Sequence, residues 1–231
     1  MSVDTGRREF GGGPLARATG LVYTLLSAEL LFLLTVAPGV AVLLLLDRDA
    51  GNLPLAAACA APVGPAVSAL FFLLHNRSGD LADLHPARAF WRGYRANLRG
   101  VLAIWLPLLT WLTILAVNVA YREAAGLPGW WLGPLVAVAV VAVLWGVNAL
   151  VITSLFTFRV RDVARLAGYF LIRRPSVPLG SLGVLAVAVC VTALWSEAVL
   201  MLLAPILALA LLWTSRPMIA DIRAEFTVDA R

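Results

Sequence analysis

The chain contains no lysine, and little else that carries charge or reactive chemistry. Of its 231 residues 13% are charged, two are histidine and two are cysteine. Without lysine there is no Schiff-base chemistry and no phosphate-binding Gly-x-x-x-x-Gly-Lys loop. His75 and His85 are joined by no His-Glu-x-x-His or Cys-x-x-Cys pattern, so no metal and no cofactor is expected. Cys59 and Cys190 both fall in apolar runs and read as small packing residues, not as a disulfide framework. The shortage of charge is the most informative. A soluble domain carries about 25% charged and about 45–50% apolar residues. Here hydrophobic residues make up 61%, and the mean hydropathy is +0.91. A water-soluble enzyme of this size could not hide so much apolar surface, and disorder would need the opposite composition. The class that remains is an all-α polytopic membrane protein in contact with the lipid bilayer.

A helix needs about 20 apolar residues to cross about 30 Å of hydrocarbon. Six runs qualify, at 20–46, 54–74, 100–120, 131–156, 178–195 and 198–214. The first is too long for the apolar part of a signal peptide and reads as a retained anchor. The expected organisation is a tail at 1–18, one six-helix membrane domain at 19–215 and a second tail at 216–231. Sixteen of the eighteen arginines lie in the two tails and in the loops after the second and fourth runs; Arg48 and Arg122 stand alone on the other side. Cytoplasmic loops carry the basic excess, so both termini are expected in the cytoplasm and the membrane is expected to be the plasma membrane. Trp130 and Trp131 sit where an aromatic belt belongs. The pI near 10.0 invites a nucleic-acid reading, but the arginines sit in short loops without a binding motif, and no nucleic-acid partner is expected.

Within the runs, proline removes a backbone donor and breaks or kinks a helix. Helix breaks are therefore expected at Pro38, beside Gly39, and around Pro62, Gly64 and Pro65. Broken helices can build substrate sites in transporters; a structural kink is the simpler reading. Three strongly polar side chains fall inside the runs: Glu29, Asn118 and Asn148. Glu29 lies near mid-span, where an acid is costly and usually faces the bundle interior. It could relay protons, or it could join helices as a neutral acid hydrogen-bonded by Asn118 or Asn148, and the second reading is preferred because no second carboxylate accompanies it.

The loops carry two amphipathic segments. Over 87–99, Arg88, Arg92, Arg95 and Arg99 fall within about 60° of one another at helical spacing. Ala87, Phe90, Trp91, Tyr94 and Leu98 form the neighbouring apolar face. That pattern predicts a helix lying in the cytoplasmic interface, with a docking surface for a cytoplasmic partner as the sharper alternative. Over 157–177, Val160, Val163, Ala164, Ala167 and Leu171 make a stripe opposite Arg161, Asp162 and Arg165. The run from Asp162 to Gly168 has some likeness to the coupling loop of sugar-importer permeases, but its spacing to the next proline is too short, and we read it as coincidence.

Several stretches together resemble the YesL-like family of bacterial membrane proteins, of unassigned biochemistry. They are Ala37-Pro38-Gly39, Gly64-Pro65-Ala66 with Ser68-Ala69-Leu70, the run Ala89-Phe90-Trp91-Arg92-Gly93-Tyr94-Arg95-Ala96-Asn97, and Arg173-Arg174-Pro175-Ser176-Val177-Pro178. The Phe-x-x-Gly-x-x-x-Asn helix between two spans is the most specific of these. The resemblance implies about six helices, no catalytic residues and a frequent association with carbohydrate uptake. Its implied partners are the subunits of a sugar importer, and it leaves homo-oligomers open.

Overall fold

The computed structural model describes residues 14–47, 49–77 and 85–226. The amino-terminal stretch to Gly13, Arg48, the segment 78–84 and residues 227–231 lie outside them. The described residues form helices and no strands: α1 (Pro14–Leu44), α2 (Leu53–Cys59), α3 (Val63–His75), α4 (Pro86–Ala120), α5 (Leu132–Leu155), α6 (Val160–Arg173), α7 (Ser176–Leu194), α8 (Glu197–Leu202), α9 (Ala204–Thr214) and α10 (Arg216–Phe226). Five are long and apolar enough to cross a membrane, α1, α2 with α3, α4, α5 and α7, and the bent pair α9 with α10 passes the same test together, for up to six. Their outer faces carry large apolar side chains; Leu26, Leu30 and Leu34 on α1 are 66%, 70% and 62% exposed. Such a ladder is stable against lipid and would be an aggregation surface in water.

The second span breaks, as its prolines predict. Residues 60–62 form a turn between α2 and α3. Pro62 and Pro65 supply no N–H to Ala58 and Ala61 four residues earlier, so the turn closes with tighter bonds: Ala61 N–H donates to Ala58 O and Val63 N–H to Ala60 O, each at 3.1 Å. The break lies one turn ahead of where the prolines centre. Gly64 and Pro65 belong to the first turn of α3, where a missing N–H is tolerated.

Four expectations need correction. Pro38 does not break its helix: α1 runs through it for 31 residues, as transmembrane helices often do. The segment 87–99 is not a separate interfacial helix. It is the first part of α4, one 35-residue rod about 52 Å long at 1.5 Å per residue. That exceeds the hydrocarbon thickness, and its four arginines bar the extra length from lipid. The sixth crossing, expected at 198–214, is divided at Leu203 into α8 and α9, because Pro205 cannot donate to Met201 O. Residues 216–226, expected as part of a tail, form α10. It bends 52° from α9 and buries Met218 and Ile222 completely.

The helices alternate in direction. One cavity brings together the start of α1, the end of α3, and α9 with α10. Another brings together the end of α1, the start of α2, the end of α4 and the start of α8. Arg174, between α6 and α7, forms a two-pronged ion pair with Asp221 of α10 (2.7 and 3.0 Å), and Arg173 pairs with Glu225 at 3.0 Å. The hydrogen bonds from Arg174 hold the Asp221 carboxyl below the usual carboxylate range. The arginine-rich segments among the described residues thus gather at one end, as the charge count predicts.

Candidate functional site

The site is built on α4 and on the α2–α3 break beside it. The buried side of α4 advances as Pro86, Phe90, Gly93, then Val101, Ile104 and Leu108, with half-buried Asn97 filling the gap. These three- and four-residue steps form one continuous seam. The residues that make the loop segment resemble its family, Phe90, Gly93 and Asn97, are the seam's inward positions. Phe90 is fully buried. Gly93 admits the neighbouring helix: a methyl group there would lie 2.7 Å from Phe72 Cβ.

Asn97 closes a polar knot between three helices. Its Nδ2 donates to Ser154 O of α5 at 3.2 Å and to Ser68 Oγ of α3 at 3.4 Å. The Ser68 and Ser154 hydroxyls lie 2.8 Å apart, and both residues are buried. Inter-helix hydrogen bonds of this kind are worth about 0.6–1.7 kcal/mol in membranes. They fix how the extension of α4 is rotated, and with it which side chains point outward.

The break is held by two neighbours, of which the sequence flags only Gly39. Trp105 of α4 donates its indole N–H to Ala60 O at 3.0 Å, and its ring lies where a Gly64 side chain would be, with a methyl group there 2.4 Å from Cγ. On the other side, a methyl group on Gly39 would fall 2.2 Å from Cys59 O. Pro38-Gly39 is therefore a seat for the neighbouring helix's break. Irregular backbone at membrane depth is tolerated only where protein or water satisfies it; here the Trp105 indole donates to the break, and Gly39 lets α1 pack close against it.

The outward side of α4 carries the arginines. Arg88, Arg92, Arg95 and Arg99 are all exposed. Arg88, Arg92 and Arg95 line one groove of about 570 Å³ with Trp91 and Ala87. Trp91 and Tyr94 flank Phe90, with ring centroids 5.9 and 6.4 Å from it. On α6 the buried residues are Val163, Ala167 and Phe170, while Asp162 and Arg165 face outward. Trp145 and Asn148 of α5 donate to Ala164 O and Ala167 O at 3.0 and 3.5 Å. That fastens α6 to the bundle.

The intramembrane polar residues are not brought together. Asn118 is exposed near the end of α4 and donates to Ile114 O. Asn148 serves α6. Neither reaches Glu29, whose two carboxyl oxygens are buried without a hydrogen-bond partner. The expected pairing fails because the three residues sit at different depths and face different neighbours.

No curated protein and no solved structure matches the chain. Over residues 22–119, somewhat less than half its length but the part that holds the break, both glycine seats and the Phe90–Gly93–Asn97 seam, the chain matches the family described as Protein of unknown function, DUF624, the family of the YesL-like resemblance.

Proposed function

We propose that this protein is a non-enzymatic membrane scaffold, accessory to a bacterial carbohydrate importer of the ABC type or to its regulation. Its arginine-rich end and both termini face the cytoplasm across the plasma membrane. The observation that carries the reading is the single rod of α4. A helix continuous from the membrane into the aqueous phase, locked in rotation by Phe90, Gly93 and Asn97, presents Arg88, Arg92 and Arg95 with Trp91 as a fixed surface. A cluster ordered in helical phase goes beyond what topology needs, since the positive-inside rule counts charge and ignores phase. Such a surface suits an acidic groove on a partner. The carbohydrate link rests on the family resemblance alone.

Changing Arg92 and Arg95 together to glutamine tests this. Arg77, Arg88 and Arg99 remain to hold orientation, so membrane level and topology should be unchanged. Co-purification of the importer's subunits in mild detergent should fall about fivefold, the scale of two exposed charge contacts. Retention at the wild-type yield would overturn the docking role.

A small secondary transporter is the second reading, and one observation favours it. The two end cavities both touch α1, at Leu21 and at Val40. Glu29 lies between them, about 12 Å from the first and about 16 Å from the second along the helix. Glu29→Gln separates the readings. On the scaffold reading the variant inserts normally and keeps its partner, which is the expected result. Loss of a proton-coupled uptake by normally inserted protein would favour the transporter.

A further inference from the structure

Charge on α10 is sorted by face. Asp221 and Glu225, four residues apart, are held by Arg174 and Arg173. Arg216, Ile219, Ala220 and Arg223 follow the three- and four-residue steps of the opposite face, and all four line a cavity of about 750 Å³ between α1, α3, α9 and α10. His75, at the end of α3, and Arg77 complete its basic part. Arg223 Nη2 lies 2.6 Å from His75 Nε2, a contact in which the guanidinium donates and the imidazole accepts. The Arg216 guanidinium rests over the Trp213 ring, 5.7 Å from its centroid. Among the described residues that line the cavity, none is acidic. Arg77 and Arg216 place two guanidinium groups on one space, and like charges so placed favour an anion between them; the neutral His75 ring orients Arg223 toward the same space.

The rest of the cavity is apolar and runs along α9. Ile206, Leu209, Ala210 and Trp213 repeat at helical spacing, and Ile206 and Trp213 are 51% and 66% exposed on the apolar outer surface. From Arg216 back to Ile206 is about 15 Å of helix. The lining therefore grades from cationic to apolar over that distance, and its apolar end is open to acyl chains. The 52° bend between α9 and α10 allows one wall to carry both characters: α9 supplies the apolar stretch and α10 the arginines. The volume lies within the usual range of small-molecule sites.

We propose that this cavity binds a phosphate-bearing anion, and that its apolar wall selects an anionic phospholipid headgroup over free phosphate. Arg77, Arg216 and Arg223 would hold the phosphate oxygens by charge-assisted hydrogen bonds, while the acyl chains lie along Ile206, Leu209 and Trp213. The site shares no residue with the arginine face of α4 and stands independently of the scaffold reading.

The test uses the full chain in mild detergent. Native mass spectrometry counts retained lipid, and thermal unfolding is followed with added phosphatidylglycerol, phosphatidylcholine or inorganic phosphate. Phosphatidylglycerol should be retained and should raise the unfolding midpoint; phosphatidylcholine should do neither. Each arginine near an anionic headgroup contributes about fivefold to affinity. Arg216→Gln with Arg223→Gln should therefore cut retention at least about tenfold, while Arg216→Lys with Arg223→Lys should keep most of it. Arg77→Gln, outside any helix, should lose about fivefold without risk to folding, and Arg92→Gln with Arg95→Gln should retain lipid as wild type does. Equal retention of phosphatidylcholine, or wild-type retention by the Arg77 and Arg216–Arg223 glutamine variants, would overturn the site. A shift produced by inorganic phosphate alone, without discrimination between the lipids, would overturn the choice of lipid as the ligand.

Discussion

Gly39→Val should destabilise the protein by about 3 kcal/mol or more, toward the upper part of the range for overpacking a filled interior. Helix propensity argues the other way, because glycine inside a helix is worse than an alanine by about 1 kcal/mol. Space decides. The first carbon of any side chain at position 39 would lie 2.2 Å from Cys59 O and 3.2 Å from its carbonyl carbon. Those atoms are backbone, so no rotamer relieves the contact; α1 and α2 must separate, or the turn at 60–62 must reform. Gly183→Ala is the matched control. Gly183 also lies inside a helix, α7, and a methyl group there meets nothing within 4 Å, so propensity alone should act and the change should be neutral or mildly stabilising. Reversible unfolding in detergent micelles reads both. If Gly39→Val unfolds at the wild-type midpoint, the close seat between α1 and the break does not exist.

That contrast marks what the sequence could and could not reveal. Composition and run lengths determine how many helices can cross and which ends gather arginine, because both follow from the cost of moving charge into lipid. The break near Pro62 is legible because proline removes specific donors. Pro38 carries the same signal and yet sits in an unbroken helix; what matters there is the next residue, Gly39, whose close approach to Cys59 O no local pattern names. Trp105 is similar: an aromatic in an apolar run looks like lipid-facing bulk until its indole N–H is seen donating to the Ala60 carbonyl at the break. The division between loop and span at Arg99 and Gly100 was misleading for another reason. A helix has no cause to end where its surroundings change from water to lipid, and no breaking residue stands there. The seam Pro86–Phe90–Gly93–Asn97–Val101 continues through the boundary and was the available signal. In α10 the spacing of Met218 and Ile222 was likewise present, but its charges suggested a solvated tail.

Phe90→Ala should separate the mechanical role of the α4 extension from its charges. Phe90 is fully buried in the shared core, and phenylalanine-to-alanine changes in such positions cost about 3–5 kcal/mol through lost burial and the cavity left behind. The extension has three anchors, Phe90, the Gly93 contact with Phe72 and the Asn97 knot. The knot contributes only about 1 kcal/mol, too little to compensate. The expected result is a lower unfolding midpoint with faster proteolytic cleavage across residues 85–99, while the lipid-embedded half of α4 stays in place. Partner retention should fall with it, because Arg88, Arg92 and Arg95 no longer share a fixed face. The Arg92 and Arg95 double glutamine variant should lose the partner at unchanged stability and cleavage rate. If Phe90→Ala leaves cleavage at the wild-type rate, the extension is not held by its seam, and a rigid arginine face cannot be the basis of docking.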